Sequence, residues 1–158
     1  MPAQDPLYRE RLSAPWWLWL ICSAFVGTLG IAFGYPLGLP AGLAAAAVAE
    51  AAVAWVLLTA AAWVVVEPGF LVAGRARLPL TAVGAVTALD ASATALLRGR
   101  EADPSAYLLL RPWVAARAVR VDVDDPADPT PYWYVATRHP EALVAALATA
   151  GTGTDWSP

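Results

Sequence analysis

Two long apolar runs in the first half of the chain limit its fold more than any other feature. They are WWLWLICSAFVGTLGIAFG at residues 16–34 and LAAAAVAEAAVAWVLLTAAAWVVV at residues 43–66. As a helix, the first run would be about 28 Å long, close to the hydrocarbon thickness of a bilayer, about 30 Å. The prolines and glycines of residues 35–42 indicate a turn. The sequence therefore predicts a hairpin of two membrane-spanning α-helices over residues 16–66, after a cytoplasmic segment at residues 1–15.

Two other interpretations of these runs fit the sequence less well. In a soluble protein, helices that are apolar on every side must be buried by other parts of the chain, and a small protein has too few residues to bury them. A cleaved signal peptide would begin with basic residues such as Arg9 and Arg11. Its apolar part is only about 7–15 residues long, and here a second apolar run follows at once. A pair of spans explains both runs.

Positive charge lies at only one side of the predicted hairpin. Arg9 and Arg11 precede it, Arg75 and Arg77 follow it, and the turn has no charge. Since arginine favours the cytoplasmic side of a membrane, we expect both ends of the chain in the cytoplasm and the hairpin in the plasma membrane. Trp63, expected at the end of the second helix, and the tryptophans that begin the first would then share one interface, where indole rings prefer to lie.

Glu50 is the only charged residue between Arg11 and Glu67. An ionisable side chain inside a membrane helix is costly and is often functional, so Glu50 is a candidate intramembrane site. Alternatively, it lies in the headgroup region or faces a partner helix. The sequence leaves these interpretations open.

Small residues spaced four apart, Gly30 and Gly34, would let another helix approach the first span closely. The alanine-rich second span is the obvious partner. Contact with a second copy of the chain, which would make a homo-oligomer, is the alternative hypothesis.

Residues 67–151 have the polarity of an ordinary globular domain. AVRVDVD, from Ala118, alternates apolar and polar side chains as a half-buried strand does, and PEALVAAL, from Pro140, predicts a helix with one apolar face. We predict an α+β cytoplasmic domain in which a small bent antiparallel sheet is closed by a C-terminal helix. This element order is similar to that of a pleckstrin-homology domain. Residues 152–158 are expected to be a flexible tail.

Composition excludes several functional classes. The net charge is −3, and without a basic run we expect no nucleic-acid partner. All ten basic residues are arginine, so no lysine is present for a Schiff base or a phosphate-binding loop. One cysteine and one histidine exclude the usual structural zinc sites. We expect no cofactor, no metal and no enzymatic activity.

The acidic stretch before the last strand contains the remaining candidates for chemistry. Carboxylates from Asp122 to Asp128 are ligands that Ca²⁺ or Mg²⁺ accepts. The stretch lacks the glycine and the terminal glutamate of an EF-hand, so a polar hairpin loop is the favoured interpretation. His139 precedes Pro140 and is interpreted as a helix cap rather than a general base, because no nucleophile motif accompanies it.

Arginine and aromatic residues in the second half are the candidate binding residues. An arginine near the membrane contributes about 1 kcal/mol of attraction to anionic headgroups, and an exposed aromatic patch would bind a partner. The alternatives are ion pairs with the aspartates and burial in the core. The candidates are Arg111, Trp113, Tyr132, Trp133 and Arg138.

Three segments and the two apolar runs resemble a known family. The segments are YRERLSAPWW from Tyr8, LRPWV from Leu110 and DPADPTPYWYVATRHP from Asp125. They resemble the actinobacterial membrane proteins of domain-of-unknown-function family 3093, from about Tyr8 to Ala148. The resemblance implies an integral membrane protein with two spans, no known reaction and no catalytic residue to assign.

The sequence thus favours a non-catalytic protein, tethered to the lipid bilayer, whose cytoplasmic domain binds a protein or a lipid headgroup. The alternative is an accessory subunit of a membrane enzyme or transporter that uses Glu50 or the carboxylates of Asp122–Asp128.

Overall fold

The computed structural model describes residues 5–114 and 116–152. One compact unit is formed by residues 13–62, and the other by the described residues up to Leu12 and from Trp63 onward. The first is a pair of long apolar helices, and the second is an α+β unit with antiparallel sheets. The prediction of these two parts is confirmed at this level. Except for Thr152, the predicted tail lies outside the described residues.

The helical unit contains α1, Trp16–Leu37, and α2, Leu39–Thr59. Both helices are long and apolar enough to cross a membrane. Of their residues, only Val26 in α1 and Gly42 and Leu57 in α2 are buried. Helices that are this apolar on all sides are typical of a membrane or of the core of a larger assembly.

The helices differ from the predicted spans at the turn and at the end. Only Gly38 separates them, and its φ is 89°. Glycine adopts this conformation at no steric cost because it has no Cβ, so a single residue is enough for the turn. Pro40 lies in the first turn of α2, where its missing N–H would have no helical partner. The prediction that Trp63 ends the second helix was wrong. Residues 62–67 form a strand, for which three consecutive valines have a strong preference.

Small residues bring α1 and α2 together. A Cβ added to Gly42 would lie 2.5 Å from the carbonyl oxygen of Gly30 and 2.7 Å from the Cα of Gly34. Gly30 and Gly34 therefore pack against α2 of their own chain, as expected of the obvious partner. Contact with a second copy through these glycines stays a prediction.

The first sheet of the α+β unit contains β1, Tyr8–Leu12; β2, Ala62–Glu67; β3, Phe70–Ala73; and β4, Ala76–Pro79. The strands follow one another in that order. Antiparallel pairing joins β2 to β3 and β3 to β4. β1 comes from the predicted N-terminal segment, so part of that segment belongs to the sheet.

The second sheet contains β5, Val83–Leu89; β6, Tyr107–Leu109; β7, Ala118–Val123; and β8, Tyr132–Ala136. Its order is β5-β7-β8-β6. The pairs β5–β7 and β7–β8 are antiparallel, whereas β6 runs parallel to β8. Two four-stranded sheets, one of them mixed, thus take the place of the single antiparallel sheet that was predicted.

Two α-helices complete this unit. α3, Ala91–Arg98, begins after Asp90, whose carboxylate accepts a hydrogen bond from the Ala93 N–H at 2.8 Å. α4, Pro140–Thr152, contacts β5 and β7. The alternating strands and α4 supply the core of this unit. Its buried aliphatic residues include Leu12, Val64, Val66, Leu71, Leu78, Val119, Val121, Leu143 and Leu147.

Candidate binding site

Glu10 is a carboxylate buried at the centre of a hydrogen-bond network. Its side chain is 8% exposed because β1 alternates, with Glu10 and Leu12 turned inward. The hydroxyls of Tyr8 and Thr137 donate to Glu10 Oε2 at 2.7 and 2.6 Å, and the Arg138 N–H donates to Oε1 at 3.1 Å. A buried charge is tolerated only when it is paired and hydrogen-bonded, and these three donors provide that compensation.

The network also fixes the chain after β8. The Arg138 guanidinium lies 3.8 Å from Glu10 Oε1 and donates to the Arg11 carbonyl at 3.1 Å. Thr137 Oγ1 accepts from the His139 N–H at 3.1 Å, and the His139 carbonyl accepts from Leu143 at the start of α4. His139 therefore has the cap position that the sequence predicted, and α4 begins at a point held by β1.

Trp113 brings a third segment to the same place. Its Nε1–H donates to the Leu12 carbonyl at 3.3 Å, which attaches the segment before β7 to the end of β1. A groove of about 350 Å³ opens beside this contact. It is lined by Trp113, Val114, Ala116, Arg117, Thr137 and Arg138.

The charge of this groove is positive. Arg117 is exposed, and the Arg138 side chain is 38% exposed. Among the described residues that line the groove, none is acidic. Glu10 is not part of the lining and is engaged by Tyr8, Thr137 and Arg138. The groove therefore combines two guanidinium groups and an indole. Such a surface suits a planar or tetrahedral anion, which arginine binds with two parallel hydrogen bonds.

The phenol of Tyr8 is held protonated. Burial raises the pKa of Tyr8, the hydrogen bond with Thr137 opposes this rise, and the hydrogen bond and charge of Glu10 add to it. A phenol whose pKa is raised remains a donor at neutral pH, when ordinary tyrosine is also protonated. Tyr8 therefore remains a donor to Glu10, and the network holds β1 against the segment that begins α4.

The structure divides the predicted binding residues into two groups. Trp113 and Arg138 line the same groove. Arg111 lies outside it and donates to its neighbouring carbonyl, that of Leu110, at 2.6 Å. Tyr132 and Trp133 are only 4% and 5% exposed. Of the two interpretations that the sequence left open for them, burial in the core agrees with the structure and an exposed recognition patch does not.

The burial of Tyr132 and Trp133 has a topological reason. Their strand, β8, lies between β7 and β6 and all five of its residues are buried. Trp133 packs against Tyr107 with ring centroids 4.5 Å apart, and the Arg120 guanidinium lies 4.4 Å from the Tyr132 ring. Both aromatic side chains thus stabilise the second sheet.

Three residues of the site were missed by sequence reasoning. They are Tyr8, Glu10 and Thr137, which belong to segments quoted only for their family resemblance. Arg117, at the groove, was not among the candidate binding residues, although the sequence allowed it the same headgroup contact or aspartate pair as Arg111 and Arg138. The only available signal was that Glu10 has an inward position in a short alternating strand. Its partner Thr137 is 127 residues away in the chain, so no local pattern connects the two.

The other candidate sites have local partners. Asp125 accepts from the Ala127 N–H, and Asp128 from the Thr130 N–H, each at 2.9 Å. The bond from Thr130 lowers the pKa of Asp128. Asp122 pairs with Arg120 at 2.7 Å. Within residues 5–114 and 116–152, no three histidine, cysteine or acidic side chains are grouped as metal ligands.

Glu50 faces a partner helix. Its Oε1 accepts a hydrogen bond from the Ser23 hydroxyl of α1 at 2.8 Å. One of the interpretations left open by the sequence, a glutamate directed at a neighbouring helix, therefore agrees with the structure. The bond crosses the hairpin and gives the carboxyl group a partner among otherwise apolar residues.

The fold and the groove define a class of protein in which an apolar helix pair is joined to an α+β unit with a basic groove. Over residues 7–147, the chain matches the family described as protein of unknown function (DUF3093), and it belongs to that family. The membership expected from the sequence is confirmed, and the matched region includes β1 and the two segments that are hydrogen-bonded to it, at Trp113 and at Thr137–Arg138. No curated protein and no solved structure matches the chain.

Proposed function

We propose that this protein is a membrane-anchored, non-catalytic binding protein whose groove takes a phosphate group, in the first place that of an anionic lipid headgroup. The observation that carries the proposal is the position of Arg138. The buried Glu10 network fixes its backbone and its guanidinium at a groove that also contains Arg117 and Trp113. A network of this kind orders an arginine before any ligand arrives, which reduces the entropic cost of binding.

The membrane part of the proposal rests on α1 and α2. Their lengths of 22 and 21 residues correspond to about 33 and 32 Å of helix, enough for the hydrocarbon core. Arginines flank the pair in the sequence on the side that we assign to the cytoplasm, by the preference of positive charge for that side. The two-span plasma-membrane topology, with the α+β unit cytoplasmic, belongs to this proposal.

The groove has the chemistry that a headgroup phosphate requires. Arginine binds phosphate through a planar fork of donors, and the indole of tryptophan is typical of the region between lipid and water. The Trp113 indole is hydrogen-bonded to the Leu12 carbonyl, and Leu12 precedes the first residue of α1 by only four positions. We propose that the groove lies within reach of headgroups. Two sheets followed by one helix also support a pleckstrin-homology-like fold, from which the parallel β6–β8 pair departs.

Native mass spectrometry in mild detergent tests the groove. Full-length protein is titrated with phosphatidylglycerol and, separately, with phosphatidylcholine. We expect preferential binding of phosphatidylglycerol, which Arg117→Gln weakens and the matched control Arg100→Gln, an exposed arginine after α3, does not. If glycerol phosphate displaces phosphatidylglycerol, the phosphate group alone is sufficient for binding to the groove. Equal binding of both lipids, or equal loss in both variants, would contradict the proposal.

A second candidate function is favoured by one observation, the Ser23–Glu50 hydrogen bond inside the helix pair. In an accessory subunit of a membrane enzyme or transporter, Glu50 would be the functional carboxyl group inside the membrane. Glu50→Gln keeps the size and a hydrogen bond to Ser23 but removes the acid. If that variant inserts normally and still binds lipid but abolishes a cellular phenotype that Arg117→Gln leaves intact, the second function is preferred.

A further inference from the structure

The first sheet has an outer face that combines arginine with aromatic rings. In β1–β4 the residues alternate between the core and the outside. The exposed positions include two aromatic side chains, 40% and 41% exposed, and three arginines. We name these five residues the basic-aromatic face: Arg9, Arg11, Trp63, Phe70 and Arg77.

The arginines of this face are placed over its rings. The guanidinium carbons of Arg9 and Arg11 lie 4.4 and 5.6 Å from the Trp63 ring centroid. Arg77 lies 5.6 Å from the Phe70 ring and pairs with Glu67 at 3.1 Å. A guanidinium that lies over an aromatic ring is attracted to the ring and stays charged. The face thus presents apolar rings and fixed positive charge side by side.

The charge of this face is opposite to that of the chain as a whole. Within the described strands β1–β4, this face has three arginines and one carboxylate, that of Glu67. The whole chain, in contrast, has a net charge of −3. A positive patch on an acidic protein favours an anionic partner. Exposed tryptophan and phenylalanine between the charges are not explained by a soluble anion, but they suit the boundary between headgroups and acyl chains.

The sequence also limits how far this face can be from a bilayer. Trp63 follows the last residue of α2 by four positions, and Arg11 precedes the first residue of α1 by five. Extended chain spans at most about 3.5 Å per residue. If α1 and α2 cross the membrane, these side chains are therefore tethered at or beside the headgroup layer.

We infer that the basic-aromatic face docks on the anionic phospholipid surface of the bilayer that holds the helix pair. The inference rests on the membrane anchoring in the proposed function but not on the groove. The occupant is the lipid surface itself, to which Arg9 and Arg11 supply charge and Trp63 and Phe70 supply interfacial anchors. Docking would hold the α+β unit in one orientation on the membrane.

Docking must depend on lipid charge, on salt and on these arginines. One basic side chain near an anionic leaflet contributes about 1 kcal/mol, so each arginine removed should lower the ratio of docked to undocked protein about fivefold. The Debye length falls from about 10 Å at 0.1 M to about 3 Å at 1 M salt. High salt should therefore release most of the docked population.

Fluorescence quenching by headgroup-labelled lipid tests the inference on the full chain in nanodiscs. In a Cys22→Ser background, Val72→Cys, on the outer side of β3, carries a fluorophore, and Ala95→Cys on α3 is the matched control. We expect stronger quenching at position 72 than at 95 in phosphatidylglycerol discs, and a loss of this difference in phosphatidylcholine discs. Arg9→Gln combined with Arg11→Gln should remove it, and Arg100→Gln, at an exposed arginine after α3, should not.

Three results separate this inference from the proposed function. The docking of the basic-aromatic face is contradicted if positions 72 and 95 are quenched equally. It is also contradicted if quenching at position 72 does not change with lipid charge or with substitution of Arg9 and Arg11. Release of the whole protein from membranes by urea overturns the anchoring. Loss of lipid binding on Arg117→Gln with unchanged quenching at position 72 supports both surfaces as independent.

Discussion

Glu10 and Thr137 are joined by a hydrogen bond of 2.6 Å although 127 residues separate them in the chain. The bond connects the first strand of one sheet to the end of the last strand of the other, at the point where α4 begins. Its surroundings are buried, with Glu10 8% and Thr137 0% exposed. We therefore expect the pair to control both the stability of the α+β unit and the shape of the groove beside it.

Substitution of either residue should destabilise the protein. Thr137→Val removes a donor to Glu10 and an acceptor of the His139 N–H, and should cost about 1–3 kcal/mol. Glu10→Ala leaves Tyr8 and Arg138 without their acceptor, and should cost about 3 kcal/mol or more. Thr87→Val, on an exposed position of β5, is the control. Unfolding in detergent, followed by near-UV circular dichroism, measures the effect. A Thr137→Val variant as stable as Thr87→Val would contradict the role of the network.

Alkaline pH should weaken the same network through Tyr8. The pKa of Tyr8 in the folded protein is raised, first by burial and further by Glu10, so the folded state favours the neutral phenol. This stabilisation is fully present below the unfolded pKa of about 10 and is lost as the pH rises toward the folded pKa. Melting temperature should therefore fall above about pH 10.

Tyr8→Phe should make that alkaline fall shallower. Burial also raises the pKa values of Tyr107 and Tyr134, and these residues contribute equally to wild type and variant. The difference between the two melting curves therefore isolates Tyr8. Tyr35→Phe, at a 95% exposed side chain, should follow wild type. Parallel curves for wild type and Tyr8→Phe would show that Tyr8 does not titrate with folding.

The helix pair should tolerate a methyl group at one glycine and reject it at another. A Cβ at Gly42 would lie 2.5 Å from a backbone oxygen of α1, whereas a Cβ at Gly27 has nothing within 4 Å. Overpacking of this kind costs about 1–3 kcal/mol, while alanine favours a helix over glycine by about 1 kcal/mol. In the same detergent, Gly42→Ala should therefore lower the melting temperature, whereas Gly27→Ala should leave it unchanged or raise it. Destabilisation by Gly27→Ala instead would indicate that a second copy contacts that side.

Periodicity predicted those parts of the fold that depend on local sequence. The alternation in residues 118–124 identified β7, and Pro140 after His139 identified the start of α4. Trp63 was assigned to a helix because a run of apolar residues suits a buried helix and a strand equally. Only pairing with β3 decides between them, and that pairing is tertiary.

The site was less predictable than the fold. Trp113 and Arg138 were identified as candidates, but nothing local shows that they share a groove. For Tyr132 and Trp133 the sequence left both a surface patch and burial in the core open, because a sequence does not tell a central strand from an edge strand. Glu10 was missed because the burial of a carboxylate is decided by distant donors, not by its neighbours in β1.

The topology of the helix pair tests the account most directly. In a Cys22→Ser background, the two labelling sites are Leu39→Cys, at the first residue of α2 next to the Gly38 turn, and Ala142→Cys on α4. Both positions are exposed. A membrane-impermeant maleimide is applied to intact and to permeabilised cells. We predict labelling at position 39 in intact cells, and labelling at position 142 only after permeabilisation. Labelling at position 142 in intact cells, or protection of position 39 until the cells are opened, would contradict a membrane-anchored protein with a cytoplasmic binding unit.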